Sequence, residues 1–171
     1  GMAGEKVEGV LDRRIRSGTA DFTQGAAMTR EQTLSAVEVG MNLVRDWKKM
    51  GFSLLATGEM GIGNTTTSSA VLAVLLGADV EAVTGRGGGI TEESFRKKKA
   101  VIRTAIEVNR PDRDDVVGVL SKVGGFDLAA MCGAFLGAAA ARRPAVIDGL
   151  ISAAAALCAV RLCPNVRGYL V

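Results

Sequence analysis

Histidine does not occur in this 171-residue chain. Without imidazole, Ser-His-Asp and Cys-His catalysis and imidazole-based metal sites are excluded. Aromatic side chains are also scarce, at 4% of residues, so the core must be assembled from Ala, Val, Leu and Ile, with 22 glycines permitting close approach. The three cysteines, Cys132, Cys158 and Cys163, are odd in number and form no C-x-x-C pair. They read as small apolar residues in a reduced, cytoplasmic setting. The net charge of +3 is spread along the chain without interleaved aromatics, which argues against nucleic-acid binding. The most membrane-like run, Leu150 to Val160, is too short to span a bilayer. The charged first residues lack the apolar segment of a leader, and Gly1-Met2 reads as an expression scar. One soluble domain over residues 1–171 is expected, long enough to bury a substantial core.

What the chain does have is concentrated between Ser53 and Gly77. Apolar Leu54-Leu55-Ala56 leads into Thr57-Gly58-Glu59-Met60-Gly61-Ile62-Gly63-Asn64-Thr65-Thr66-Thr67, and an apolar run from Ala70 to Leu76 follows. This pattern predicts a short buried strand, a glycine elbow and a helix opened by hydroxyl residues. Asn64 and the threonines are expected to cap that helix and leave amide donors facing the turn. Such a helix start favours anions, phosphate above all. The spacing also approaches the triphosphate loop G-x-x-x-x-G-K-[ST], but Asn64 occupies the lysine position and Glu59 lies inside the loop. A monophosphate beside a carboxylate therefore fits better than a triphosphate. A turn that needs glycine only for packing fits the same residues equally well.

The remaining periodicities alternate strands and helices. Residues up to about 28 are expected to be irregular, with Val7 to Ile15 a short strand or helix. Thr29 and Gln32 form a capping box for a helix reaching Met50, where Gly51 stops it. Further helices are predicted at Thr65–Leu76, from Thr91 to Asn109, at Asp112–Val123, at Phe126–Ala141 and at Ser152–Leu162, with a short turn or helix at Asp79–Val83. Buried strands are expected at Ser53–Thr57 and Pro144–Ile151, and another begins at Tyr169. This order predicts an α/β fold with a parallel sheet, although few strands are present.

Gly133 and Gly137, four apart, predict close packing of their helix on the sheet, or else a dimer interface. Ligands in such sheets bind beyond the carboxyl ends of the strands. Gly58–Thr66, Asp148–Ser152 and the glycine loop Gly85–Gly89 are thus the candidate segments. Glu59 is a candidate base or anchor, or a cap for its own turn. Arg86 and the glycines after it offer a phosphate cradle. Of Arg96, Lys97, Lys98 and Lys99, one can reach that loop and the others form a solvated face, since consecutive helical residues lie 100° apart.

Taken together, these segments resemble the nicotinate-nucleotide–dimethylbenzimidazole phosphoribosyltransferase family. The resemblance is carried by Leu11–Ala20, Ala27–Gln32, Gly58–Thr66, Gly85-Arg86-Gly87 with Lys98, Gly124-Gly125-Phe126 and Asp148–Ile151. It implies a dimeric, Rossmann-like parallel sheet flanked by helices, here incomplete relative to the full-length family. It implies transfer of the phosphoribosyl group of nicotinate mononucleotide to 5,6-dimethylbenzimidazole, giving α-ribazole 5′-phosphate and nicotinate, with no metal and no cofactor. Carried over by position, Glu59, Met60 and Gly61 line the reacting ribose and base. Gly63, Asn64 and Thr65 support that loop, and Gly87 and Lys98 hold the phosphate. The family's general base is a glutamate in a Gly-Glu-Gly-Thr-Gly segment that falls beyond Val171, and no catalytic residue is assigned within the chain. The family's N-terminal region is likewise not matched, and Gly88 stands where threonine is common. The expectation is a central portion of the enzyme, weak or inactive alone. The alternative is a non-catalytic nucleotide-binding module, or a subunit that a complementing chain completes.

Overall fold

The computed structural model describes residues 8–171. Residues 8–29 follow turns and irregular paths before the first helix, α1 (Arg30–Lys49), and no strand or helix forms over residues 8–15. Val7, the other part of that predicted element, and Gly1-Met2 lie outside the described residues. The expected capping box is present: Thr29 Oγ1 accepts from the Gln32 amide at 3.1 Å, and Gln32 Oε1 accepts from the Thr29 amide at 3.0 Å. After α1 the chain forms β1 (Leu55–Ala56), α2 (Thr65–Leu76), the single turn α3 (Val80–Val83), α4 (Glu92–Asn109) and α5 (Val116–Val123). Then come α6 (Phe126–Ala141), β2 (Ala145–Val146), α7 (Leu150–Leu162) and a 3₁₀ segment at Pro164–Tyr169.

The two strands pair in parallel, Leu55 opposite Ala145 and Ala56 opposite Val146. The C-terminus adds a third line. Leu170 bridges Ala145 in parallel, and amide-to-carbonyl bonds of 2.9 Å join Val171 to Ala145 and Ile147 to Val171. The fold is α/β, rich in helix around a small parallel sheet, and the strand predicted from Tyr169 begins one residue later.

Three departures from the sequence expectation have clear physical causes. The strand predicted to run to Ile151 ends at Val146. Buried Ser152 Oγ accepts from the Asp148 and Gly149 amides, each at 2.9 Å, and donates to the Gly149 carbonyl at 3.0 Å. This triple use of one hydroxyl turns the chain into α7 at Leu150 instead of Ser152. The helix predicted from Asp112 begins at Val116, because Asp112 accepts from the Asp114 amide in a tight turn and Asp115 is the cap, accepting from the Gly118 amide at 3.0 Å.

The third difference concerns Gly133 and Gly137. They face α1, not the sheet. A Cβ at Gly133 would overlap the Val37 carbonyl oxygen, and one at Gly40 of α1 would overlap the Ala130 carbonyl oxygen. A Cβ at Gly137 would lie 3.0 Å from the Met41 Cα. The two backbones are in contact along this seam.

The principal core joins α2, α4, α5, α6 and α7, with Leu75, Ile102, Leu120, Leu128, Phe135 and Val166 fully enclosed. Cys132 and Cys158 belong to it, and burial pushes the Cys132 thiol up to about 12. No described helix is long and apolar enough to cross a membrane.

Candidate functional site

Strand β1 delivers the chain at its carboxyl end into the elbow from Thr57 to Asn64. Thr57 is held there by its hydroxyl, which donates to the Val146 carbonyl at 3.1 Å. Beyond it the elbow is built around one carboxylate. Glu59 Oε2 accepts from the Gly61 amide and from Asn64 Nδ2, the latter at 3.1 Å. Glu59 thus caps its own turn, one of the roles its position suggested. Gly61 and Gly63 hold φ of +75° and +78°, backbone geometry that side chains oppose, and this leaves Met60 and Ile62 projecting into solvent.

Asn64 departs from expectation. It is the N-cap residue of α2 by position, but its side chain makes no cap hydrogen bond. Its Nδ2 donates instead to Glu59 and, at 3.0 Å, to Asp127 Oδ2 in the first turn of α6. The side chain is 8% exposed, and Oδ1 is buried with no donor. Because the side chain is turned away, the first amides of α2 keep no side-chain acceptor. The hydroxyls that follow act on carbonyls: Thr67 and Ser68 donate to the Asn64 carbonyl at 3.0 and 2.8 Å, and Ser69 donates to the Thr65 carbonyl at 2.8 Å.

Over the elbow lies an open hollow of about 690 Å³. Glu59, Met60, Gly63 and Asn64 form one side, and Phe126, Asp127, Ala130 and Met131 of α6 another. The segment from Arg16 to Thr19, with Arg14, forms the rim. The loop at Asp148–Ser152, one of the three candidate segments, supplies no lining residue.

A second cluster adjoins the elbow at Thr65. Lys98 Nζ donates to Thr65 Oγ1 at 3.0 Å and to the Gly85 carbonyl at 2.8 Å. Gly87, at φ +69°, passes so close that a Cβ there would lie 3.3 Å from Thr65 Oγ1. Lys98 is half-buried, burial pushes its ammonium down from the ordinary lysine value, and it has no carboxylate partner among the described residues. An unbalanced cation beside an uncapped helix start is a place where an anion gains from both.

The neighbouring charges are committed elsewhere. Arg86 pairs with Glu92 and sits 4.9 Å from the Phe95 ring, and Lys99 lies 4.1 Å from the same ring. Arg96 and Lys97 are exposed. Arg86 is thus held by its own loop and helix, while Lys98 is the member of the basic run that reaches inward.

The structure therefore brings Glu59, Met60, Gly63 and Asn64 to one hollow, and Thr65, Gly87 and Lys98 to an adjoining corner; Gly61 shapes the turn between Met60 and Ile62. Asp127 was not among the predicted site residues. In the sequence it is an acidic residue in a helix's first turn, where interaction with the helix dipole explains it sufficiently. Arg14 and Arg16 lay in a segment with no periodicity to orient them.

Comparison with known proteins follows the same lines. A family described as phosphoribosyltransferase matches residues 1–171. A nicotinate-nucleotide–dimethylbenzimidazole phosphoribosyltransferase of Clostridium acetobutylicum is 51% identical over 164 residues, covering 96% of this chain and 47% of that protein. The protein of the same name from Acetivibrio thermocellus is 50% identical over 163 residues, covering 95% and 46%. The crystal structure of CobT from Thermus thermophilus superposes with a TM-score of 0.91 at 39% identity, covering 99% of this chain and 51% of that one. The chain spans about half the length of these relatives. On residues 1–171 it belongs to the nicotinate-nucleotide–dimethylbenzimidazole phosphoribosyltransferase family.

Proposed function

We propose that the Lys98 corner and the elbow hollow together bind nicotinate mononucleotide for transfer of its phosphoribosyl group to 5,6-dimethylbenzimidazole. One observation carries this reading: a half-buried lysine without a carboxylate partner meets Thr65 and Gly87 at the uncapped start of α2, beside an open hollow. The phosphate sits against Lys98, Gly87 and Thr65. The ribose and base lie over Glu59, Met60 and Gly61, with Gly63 and Asn64 supporting the loop. The benzimidazole nitrogen then attacks the anomeric carbon from the opposite face and forms the new bond. The bond to nicotinate breaks with its electron pair, which neutralises the pyridinium ring. The configuration inverts, and α-ribazole 5′-phosphate and nicotinate result.

One proton must also leave the attacking benzimidazole. The two carboxylates lining the hollow, Glu59 and Asp127, each accept from Asn64 and serve as anchors. By family resemblance the base is a glutamate outside these residues. General-base help is worth about 10²–10⁴-fold in rate. The 171-residue polypeptide is therefore expected to bind nicotinate mononucleotide while turning over at least about 100-fold more slowly than a full-length relative.

Calorimetry with nicotinate mononucleotide, and chromatography for α-ribazole phosphate after adding dimethylbenzimidazole, test both halves of this statement. No binding overturns the assignment of the site. Product at the rate of the Clostridium acetobutylicum relative overturns the missing-base argument. A second reading is a homodimeric or complemented subunit that another chain completes. Recovery of product on adding the C-terminal half of that relative supports it, and unchanged rates oppose it.

A further inference from the structure

We infer that Asp127 reads one of the two ring hydroxyls of the bound sugar, with Glu59 reading the other, so that this pair makes the site specific for a ribose over a deoxyribose. The inference rests on the site proposed above and adds a residue that the sequence motifs did not assign.

Three observations carry it. First, Glu59 and Asp127 come from different elements, the elbow and α6, and both line the same hollow. Second, each spends a single oxygen on the Asn64 amide: Glu59 Oε2 at 3.1 Å and Asp127 Oδ2 at 3.0 Å. Since both oxygens bind one nitrogen, they lie within about 6 Å of each other. Glu59 Oε1 and Asp127 Oδ1 have no hydrogen-bond partner among the described residues, and both side chains are exposed to the hollow. The Asn64 amide thus holds the two carboxylates side by side, each with an oxygen left to accept from one of two neighbouring hydroxyls.

Third, Asn64 is more than nine-tenths buried, and its Oδ1 lacks a donor. A buried acceptor left unsatisfied is costly, and a plain turn would be expected to rotate the amide or cap the helix with it. Rotation would set Oδ1 against two carboxylates, so the orphaned oxygen follows from holding the carboxylates as a pair. The apolar face of α6 behind them, Phe126, Ala130 and Met131, suits the flat side of a nucleotide.

Calorimetry with nicotinate mononucleotide and its 2′-deoxy and 3′-deoxy counterparts tests this on the chain as it stands. The wild-type chain is expected to bind each deoxy compound about tenfold or more weakly, the usual scale for a hydrogen bond to a charged group. Asp127→Asn keeps an acceptor for the Asn64 amide but turns a donor toward the ligand. It is expected to abolish discrimination against one deoxy compound, and Glu59→Gln against the other. Equal weakening toward all three ligands, or no change, assigns Asp127 a merely structural part and overturns the inference. Equal wild-type binding of all three overturns it with no variant needed, while leaving the phosphate site standing. No binding of nicotinate mononucleotide by the wild type removes both.

Discussion

Two sets of glycines in this molecule do opposite work. Along the α1–α6 seam, Gly40, Gly133 and Gly137 are surrounded: a Cβ at any of them would press into the facing backbone. In the elbow and the 85–89 loop, a Cβ at Gly58, Gly63, Gly85, Gly88 or Gly89 would meet nothing within 4 Å. The first set removes side chains so that helices can touch. The second leaves room that the protein itself does not fill. A turn that used glycine only for packing would look like the seam. The elbow does not; its glycines stand open, as exposed glycines elsewhere in the chain do, and what sets the elbow apart is the hollow over it and Lys98 beside it.

The largest way to break the comparison is at the seam. Gly133→Val is expected to cost more than about 3 kcal/mol, because rigid backbone on α1 leaves the added atoms nowhere to go. Gly88→Ala, in open space without a positive φ, is expected to stay within about 0.5 kcal/mol. Thermal unfolding of the two variants measures both. Similar losses would erase the distinction between packed and open glycine.

The same contrast explains what the sequence showed and what it withheld. Features set by local chemistry were legible. The Thr29–Gln32 capping box, the Phe126–Ala141 helix and the strand–elbow–helix order from Leu55 to Leu76 all follow from caps, glycines and apolar runs a few residues apart. Features set by distant partners were not. Nothing near Asn64 announces that its amide will turn to Asp127, 63 positions away, and forsake its own helix. Nothing near Gly133 says whether its partner is the sheet or α1. Lys98 stands between the two cases. Helical geometry says that one member of the basic run can reach the glycine loop; family resemblance chose which, and the structure seats Lys98 against Thr65.

Lys98 also sharpens the comparison, because at an open site binding and stability need not move together. Lys98→Met removes the charge that meets phosphate and is expected to weaken nicotinate mononucleotide binding about tenfold or more. Burial disfavours the lysine's charged form, so neutral methionine removes that penalty while losing two hydrogen bonds. The melting temperature is expected to shift by only a few degrees, about what a net change of 1 kcal/mol gives in a domain of this size. Calorimetry and a melt on one preparation check both. A collapse in stability with binding retained would make Lys98 a structural residue like those of the seam.

The smallest expected effect lies at the far side of α1, where charge joins elements that glycine does not. Arg30 donates to Asp115 Oδ2 at 2.6 Å, tying the start of α1 to the cap of α5. The Arg30 hydrogen bond holds the Asp115 carboxyl below the ordinary aspartate value, with the Gly118 amide adding to it. A carboxyl lowered in the folded state is protonated first in the unfolded chain. Its stabilisation is therefore complete above the unfolded value, about pH 4, and drains away as pH falls through the lower folded one. Both partners are solvent-exposed, so the effect is small and screened by salt. Asp115→Asn keeps an oxygen for the Gly118 amide and should lower stability slightly at neutral pH, with the loss fading as pH falls below about 4, where the wild-type carboxyl is protonated as well. Denaturant titrations from pH 3 to 7 at low and high salt read this directly. A loss that is equal at every pH would show that the α1–α5 junction depends on the cap alone, with the ion pair contributing nothing.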